Sequence, residues 1–205
     1  MSSKRIFLLD SSSYVFRAYY RPGIDLETSK GFPTKAIYGF IGMTKKLIEQ
    51  SDYLVAVFDS GGQSFRNDIY EDYKANRGEA PEDISLQFPK IIEYLDARGV
   101  KVVSVDNYEA DDVIGSLVKQ FGSKHEITIL SGDKDFTQLI DKKINMIDAK
   151  GKMYSPQEVV KKYGVKPNQM VDFLALVGDS IDNIPGVKGI GPKAAQELLV
   201  KYKTL

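Results

Sequence analysis

Cysteine is absent from the 205-residue chain, and histidine occurs once, at position 125. The first absence excludes disulfides, thiolate metal sites and a cysteine nucleophile, and it permits a reducing compartment. The second excludes a zinc site built from several histidines and a histidine-based triad. His125 lies in the polar stretch Gly122 to Glu126 ahead of an apolar run, which predicts a surface loop residue. Long apolar runs are missing too, and no targeting segment follows the opening Met-Ser-Ser-Lys-Arg. The expectation is a cytoplasmic monomer with no membrane partner. Net charge is zero, from 28 basic and 28 acidic side chains. That balance does not exclude nucleic acid. If about nine acids gather at one site, 19 remain against 28 basic groups, a surplus suited to a phosphate backbone.

Short apolar runs recur at Ile6 to Leu9, Leu54 to Phe58, Val100 to Val105, Ile127 to Leu130 and Ile144 to Ile147. Amphipathic segments separate them, at Ala36 to Ile48, Ile84 to Leu95 and Val113 to Phe121. Continuously apolar strands alternating with helices predict an α/β fold, a mostly parallel central sheet with helices on both faces. Such sheets bind ligands beyond the carboxyl ends of their strands. From about residue 155 the pattern changes. Ser155-Pro-Gln-Glu158 resembles a capping box opening a helix through Tyr163, a second helix fits Pro167 to Val177, and helical spacing resumes through Leu198, Leu199 and Tyr202. The expected division is a core over 1–154 and a helical subdomain over 155–205.

Acids follow the strands. Asp10 follows the first, Asp59 the second, and Gly132-Asp133-Lys134-Asp135 the fourth. The third is followed by N-Y-E-A-D-D-V-I-G-S-L, with Glu109, Asp111 and Asp112 in four positions. Acids at a helix start complement its dipole, which accounts for one or two of them. It does not account for a third, nor for matching acids on other strands. In a helix beginning near Glu109, the residues Ala110, Val113, Ile114, Leu117, Val118 and Phe121 form a core stripe. Glu109 and Asp112 then share a face away from it.

Crowded carboxylates repel, and a bound cation relieves the repulsion. Oxygen-only donors select hard cations, magnesium or manganese in its place. Eight or nine acids exceed what one magnesium ion needs. Two ions, usually ~3.5–4 Å apart, clamp an in-line displacement at phosphorus. The chemistry implied is phosphodiester hydrolysis. The charged stretch Ser64 to Arg77 ends with Lys74 and Arg77, expected on one helical face, where they could grip a phosphate.

The runs F-D-S-G-G-Q-S-F-R…Y-K-A-N-R, Y-E-A-D-D, S-G-D-K-D-F and G-D-S-I-D-N-I-P-G-V-K-G-I-G, in this order along the whole chain, resemble the bacterial 5′-nuclease family. That family includes the 5′–3′ exonuclease domain of DNA polymerase I and the related flap endonucleases. The resemblance implies a PIN-like core and a helix–hairpin–helix subdomain. It implies metal ligation by Asp10, Asp59, Glu109, Asp111, Asp112, Asp133, Asp135, Asp179 and Asp182. Lys74 and Arg77 match basic residues that contact the scissile phosphate at the base of a helical arch, expected around 74–90. Arg17 matches an active-site arginine, and Tyr73 an aromatic that can stack on a base. Lys188, Gly189, Gly191 and Lys193 fall on the hairpin that grips duplex backbone, where family members can hold a potassium ion. Gly31 to Thr34 resembles a loop near the junction, and also suits a plain helix start.

The expected activity is a magnesium-dependent 5′-nuclease acting on DNA with a 5′ end or 5′ flap at a duplex junction. A PIN-like ribonuclease and a non-catalytic DNA-junction binder are the alternatives. The chain stops at Leu205, where relatives continue with further helices, so the subdomain is expected to be truncated.

Overall fold

The computed structural model describes residues 4–23 and 25–205; residues 1–3, where the absence of a targeting segment begins, lie outside them. Strand β1 (Arg5–Asp10) runs straight into α1 (Ser11–Tyr19), because Asp10 is also the helix cap and accepts from the Ser13 amide at 3.2 Å. Then come α2 (Lys35–Gln50), β2 (Tyr53–Val57), α3 (Phe65–Ile69), α4 (Glu82–Ser85) and α5 (Phe88–Ala97). Next are β3 (Lys101–Val103), α6 (Ala110–Phe121), β4 (Glu126–Leu130), a 3₁₀ turn (Asp135–Leu139), β5 (Ile144–Ile147) and β6 (Met153–Tyr154). The chain ends with α7 (Pro156–Tyr163), a 3₁₀ turn (Pro167–Gln169), α8 (Met170–Val177) and α9 (Pro192–Tyr202). Among the described residues no helix is long and apolar enough to cross a membrane.

The sheet order is β3-β2-β1-β4-β5-β6, parallel throughout except for the short antiparallel β6. The four strands followed by acids are therefore neighbours, and all point the same way. Alternation along each strand feeds two cores. Leu8, Ile127, Ile129 and Met146 face α6 and the carboxyl-terminal helices. Leu9, Ala56 and Leu130 face α1, α2 and α5. Ile114 and Ile91 are fully buried on opposite sides, each burial contributing about 1.5–3 kcal/mol.

Several expectations change. Thr34 makes no side-chain cap for α2; instead the buried Gln87 Oε1 accepts from the Ala36 and Ile37 amides at 2.8 and 3.2 Å. The segment around 74–90 is not helical along its length: it has turns through residue 76, then the single helical turn α4. Ile84 and Gln87 of that segment are buried, so apolar burial holds it against the core. Lys74 and Arg77 lie in those turns rather than on a helix face, with Lys74 at φ 57°. The second helix of the tail, expected over Pro167 to Val177, splits into a 3₁₀ turn and α8. Ser155 does cap α7, accepting from the Glu158 amide at 3.4 Å. His125 is half-buried in the loop before β4, its Nδ1 accepting from the Lys4 amide at 3.3 Å.

Candidate active site

Asp10 ends β1, Asp59 lies two residues past β2, and Asp133 three past β4. Glu109 caps α6, with Asp111 and Asp112 in its first turn. Because these strands are adjacent and parallel, the acids meet at one rim. Asp179 and Asp182 arrive from the loop after α8. That loop is closed by paired amide–carbonyl bonds between Asp179 and Ile184, both 2.8 Å. Two glycines make the closure possible. Gly178 sits at φ 74°, ψ −179°, a region essentially confined to glycine, and a Cβ there would stand 2.3 Å from the Gly186 nitrogen.

The nine acids sort into three groups. Asp10, Asp59, Asp111 and Asp133 form an inner group. Burial first, then the charges of Asp10, Asp133 and Asp59, push the Asp111 carboxyl up to about 8. Burial likewise lifts Asp10 to about 6, opposed by a 2.6 Å hydrogen bond from the Ser131 hydroxyl. Asp59 is oriented from both sides: its carboxylate accepts from the Ala110 amide at 2.8 Å, and its own amide donates to the Ser12 hydroxyl at 3.0 Å.

Asp135, Asp179 and Asp182 form an outer group, with carboxylate oxygens all within 4.8 Å of one another. Burial, then Asp133, raises Asp135 to about 6. Its Oδ1 is buried with no hydrogen-bond partner. The Lys134 ammonium stands 3.8 Å away, beyond hydrogen-bond reach, so this buried oxygen is only partly compensated among its acidic neighbours, and a hard cation completes the compensation. The donor set therefore fits a divalent ion, with Asp133 coupled to both groups.

Glu109 and Asp112 stand apart, each taken by a cation. Arg66 clamps Asp112 through two bonds of 2.7 and 2.8 Å, which hold that carboxyl below its ordinary range against the opposing pull of burial. Glu109 accepts from Lys74 Nζ at 2.8 Å and from the Tyr73 hydroxyl at 3.0 Å. Arg77 pairs with Asp182, and Lys134 reaches Asp179 at 2.6 Å. Lys74 and Arg77 thus do meet the acidic rim, although no helix aligns them. Tyr73 is buried, so its ring is not free to stack in this conformation. Arg17 projects from α1, its guanidinium 3.2 Å from where a Cβ on Gly132 would stand.

Arg66, Lys134, Ser12 and Ser131 are site residues that the pattern of apolar runs does not pick out; proximity in sequence to the acids was the available signal. On the exposed turn before α9, Gly189 has φ 84° and Gly191 caps the helix without a side chain. Lys188 and Lys193 flank the first-turn amides. A bare cap leaves those amides open to an anion.

Residues 5–164 match the family described as 5′–3′ exonuclease, N-terminal resolvase-like domain, and residues 165–205 match 5′–3′ exonuclease, C-terminal SAM fold. The chain belongs to the 5′–3′ exonuclease family. Within that family it is 43% identical over 203 residues to a 5′–3′ exonuclease of Aquifex aeolicus, covering 97% of this chain and 70% of that one. It is also 43% identical over 211 residues to DNA polymerase I of Caldicellulosiruptor bescii, of which it spans 25%. A T5 5′-exonuclease with divalent zinc bound superposes with a TM-score of 0.76 at 21% identity, over 98% of this chain and 76% of that one. A flap endonuclease from Methanococcus jannaschii gives 0.62 at 20%, over 98% and 72%. These structural likenesses place the fold: a PIN-like resolvase domain with a SAM-like helical domain.

Proposed function

We propose that this 5′-nuclease hydrolyses DNA phosphodiesters at a 5′ end or a 5′ flap beside a duplex junction, as a cytoplasmic monomer. The observation that carries the reading is the pair of carboxylate groups that share Asp133 as a charged neighbour, with a buried Asp135 oxygen that has no hydrogen-bond partner. Magnesium, or manganese in its place, supplies water activation and charge neutralisation when a pair is bound.

The chain's own residues do the rest. Asp10, Asp59, Asp111 and Asp133 hold the inner position, and Asp135, Asp179 and Asp182 the outer. Lys74 and Arg77 can exchange their carboxylate partners for phosphate oxygens, since both remain partly exposed where they pair. Arg17 adds a cation with no carboxylate partner among the described residues. The turn of Lys188, Gly189, Gly191 and Lys193 offers amides and ammonium groups to duplex backbone, and a potassium ion could bridge there. The acids argue against a non-catalytic junction binder.

A labelled 5′-flap duplex and a single-stranded RNA, each incubated with and without magnesium, test the reading. Cleavage of the flap substrate alone, near the junction, is expected. Asp133→Ala is expected to abolish it while DNA binding persists. RNA cleavage without flap cleavage would favour the ribonuclease instead.

A further inference from the structure

Four cations at the acidic rim are neutralised by carboxylates: Arg66, Lys74, Arg77 and Lys134. Arg17 and Lys162 are different. Both line one pocket of about 430 Å³ that opens on Asp133, Asp179 and Asp182. Among the described residues neither has a carboxylate oxygen within 4.0 Å.

Lys162 comes from α7, far in sequence from the first active-site acid, and no motif singles it out. Its ammonium lies 5.0 Å from the Tyr154 ring centre and 4.8 Å from that of Tyr163, with the Tyr154 hydroxyl at 3.5 Å. Both rings are fixed. Tyr154 is buried at the sheet edge, and Tyr163 packs on Phe173 while Gln196 donates to its carbonyl at 2.8 Å. A long lysine on the surface ordinarily gives up rotamer freedom to bind anything; seated on two aromatic faces, this one has already lost much of it. Arg17 is exposed, and its guanidinium passes over Gly132, where the lack of a side chain leaves it room. The pocket lining holds four cations against three carboxylates, with Asp135 of the outer group adjoining them, so Arg17 and Lys162 are the lining cations without an acid partner there.

We propose that Lys162, with Arg17, seats a phosphate group of the DNA strand being cut, beside Asp133 and Asp179, making Lys162 a positioning residue for the nuclease reaction. The inference rests on the nuclease reading above. An internal phosphodiester and a 5′-terminal phosphate share this chemistry.

The test uses a 5′-flap duplex with Lys162→Met, which keeps an apolar stem on the tyrosines, and with Lys162→Arg, which restores the charge. Lys162→Met is expected to raise KM about tenfold, with the loss falling on KM rather than kcat. The slope of binding against salt should become shallower by about one. Lys162→Arg should recover most of both. A neutral methylphosphonate at the contacted position should make the parent and Lys162→Met alike. If removing the 5′-terminal phosphate does so instead, the terminal group is the one held. A Lys162→Met chain with unchanged salt slope and KM overturns the proposal. A parent chain that binds the flap DNA but never cuts it counts against the nuclease reading; the salt slope from fluorescence anisotropy still decides on Lys162.

Discussion

Arg66 holds Asp112 through two parallel bonds, from Nη1 at 2.7 Å and Nη2 at 2.8 Å, while the same carboxylate accepts from the Glu109 amide at 3.1 Å. Asp112 is thereby committed to shaping the start of α6. Arg66→Ala removes the clamp and leaves a partly buried carboxylate facing Glu109. A loss of about 1–3 kcal/mol is expected in urea unfolding. Arg66→Lys should recover little, because an ammonium cannot form the planar pair.

Metal-free stability should fall as pH rises. Folding raises Asp111 from 3.8 to about 8, and Asp10 and Asp135 to about 6. Over that interval these three groups bind more protons in the folded state than in the unfolded one, so their contribution is fully present below the ordinary carboxylate range and is lost as they ionise. Asp112 and Asp179, held low, oppose it only at more acid pH. The thermal midpoint in a chelator should drop between pH 5 and pH 8. Magnesium should reverse the trend at the upper end and release protons on binding. A midpoint flat across this range would contradict the burial described for Asp111.

Asp135→Asn keeps the shape of the side chain and removes one negative charge from the outer group. Divalent-ion affinity should weaken by about an order of magnitude, since ligand charge sets much of it. Calorimetric titration with manganese reads this directly, without DNA. The fold should be slightly stabilised, because a buried oxygen without a hydrogen-bond partner is no longer charged.

Gly178→Ala places a methyl group 2.3 Å from the Gly186 nitrogen and 2.6 Å from the Ile184 carbonyl oxygen, in a backbone region that alanine avoids. A stability loss of about 2–4 kcal/mol is expected. Cleavage should fall further than stability alone explains, since Asp179 and Asp182 ride on that closure. Near-normal activity at full occupancy would show that the loop tolerates opening.

The strands and the acids behind them were legible because two simple signals coincide: apolar runs of strand length, and carboxylates immediately after them. The parallel order of β1 to β4 turns that one-dimensional pattern into a rim. The stretch from Tyr70 to Arg77 was not legible. Its charge pattern suits a helix, but Tyr73, Lys74 and Asn76 bond to Glu109, Asp182 and Ser180, and these distant partners override local propensity. Helix α1 was hidden because its first residues are three serines, and a single aspartate serves as strand end, cap and site acid at once. β6 is two residues long and exists only through pairing with β5. The role of Gln87 as a remote cap has no sequence signature at all.

The Lys74 amide donates to the Asp182 carbonyl at 3.0 Å, and the Asn183 side-chain amide to the Asp72 carbonyl at 2.8 Å. Halves of the rim separated by more than a hundred residues are thus stitched by one main-chain bond and one side-chain bond. A nascent chain emerging from the ribosome therefore carries an incomplete blade until α8 and its following loop are out. Synthesis itself holds Asp179 and Asp182 back from the rim until well into the last quarter of these residues.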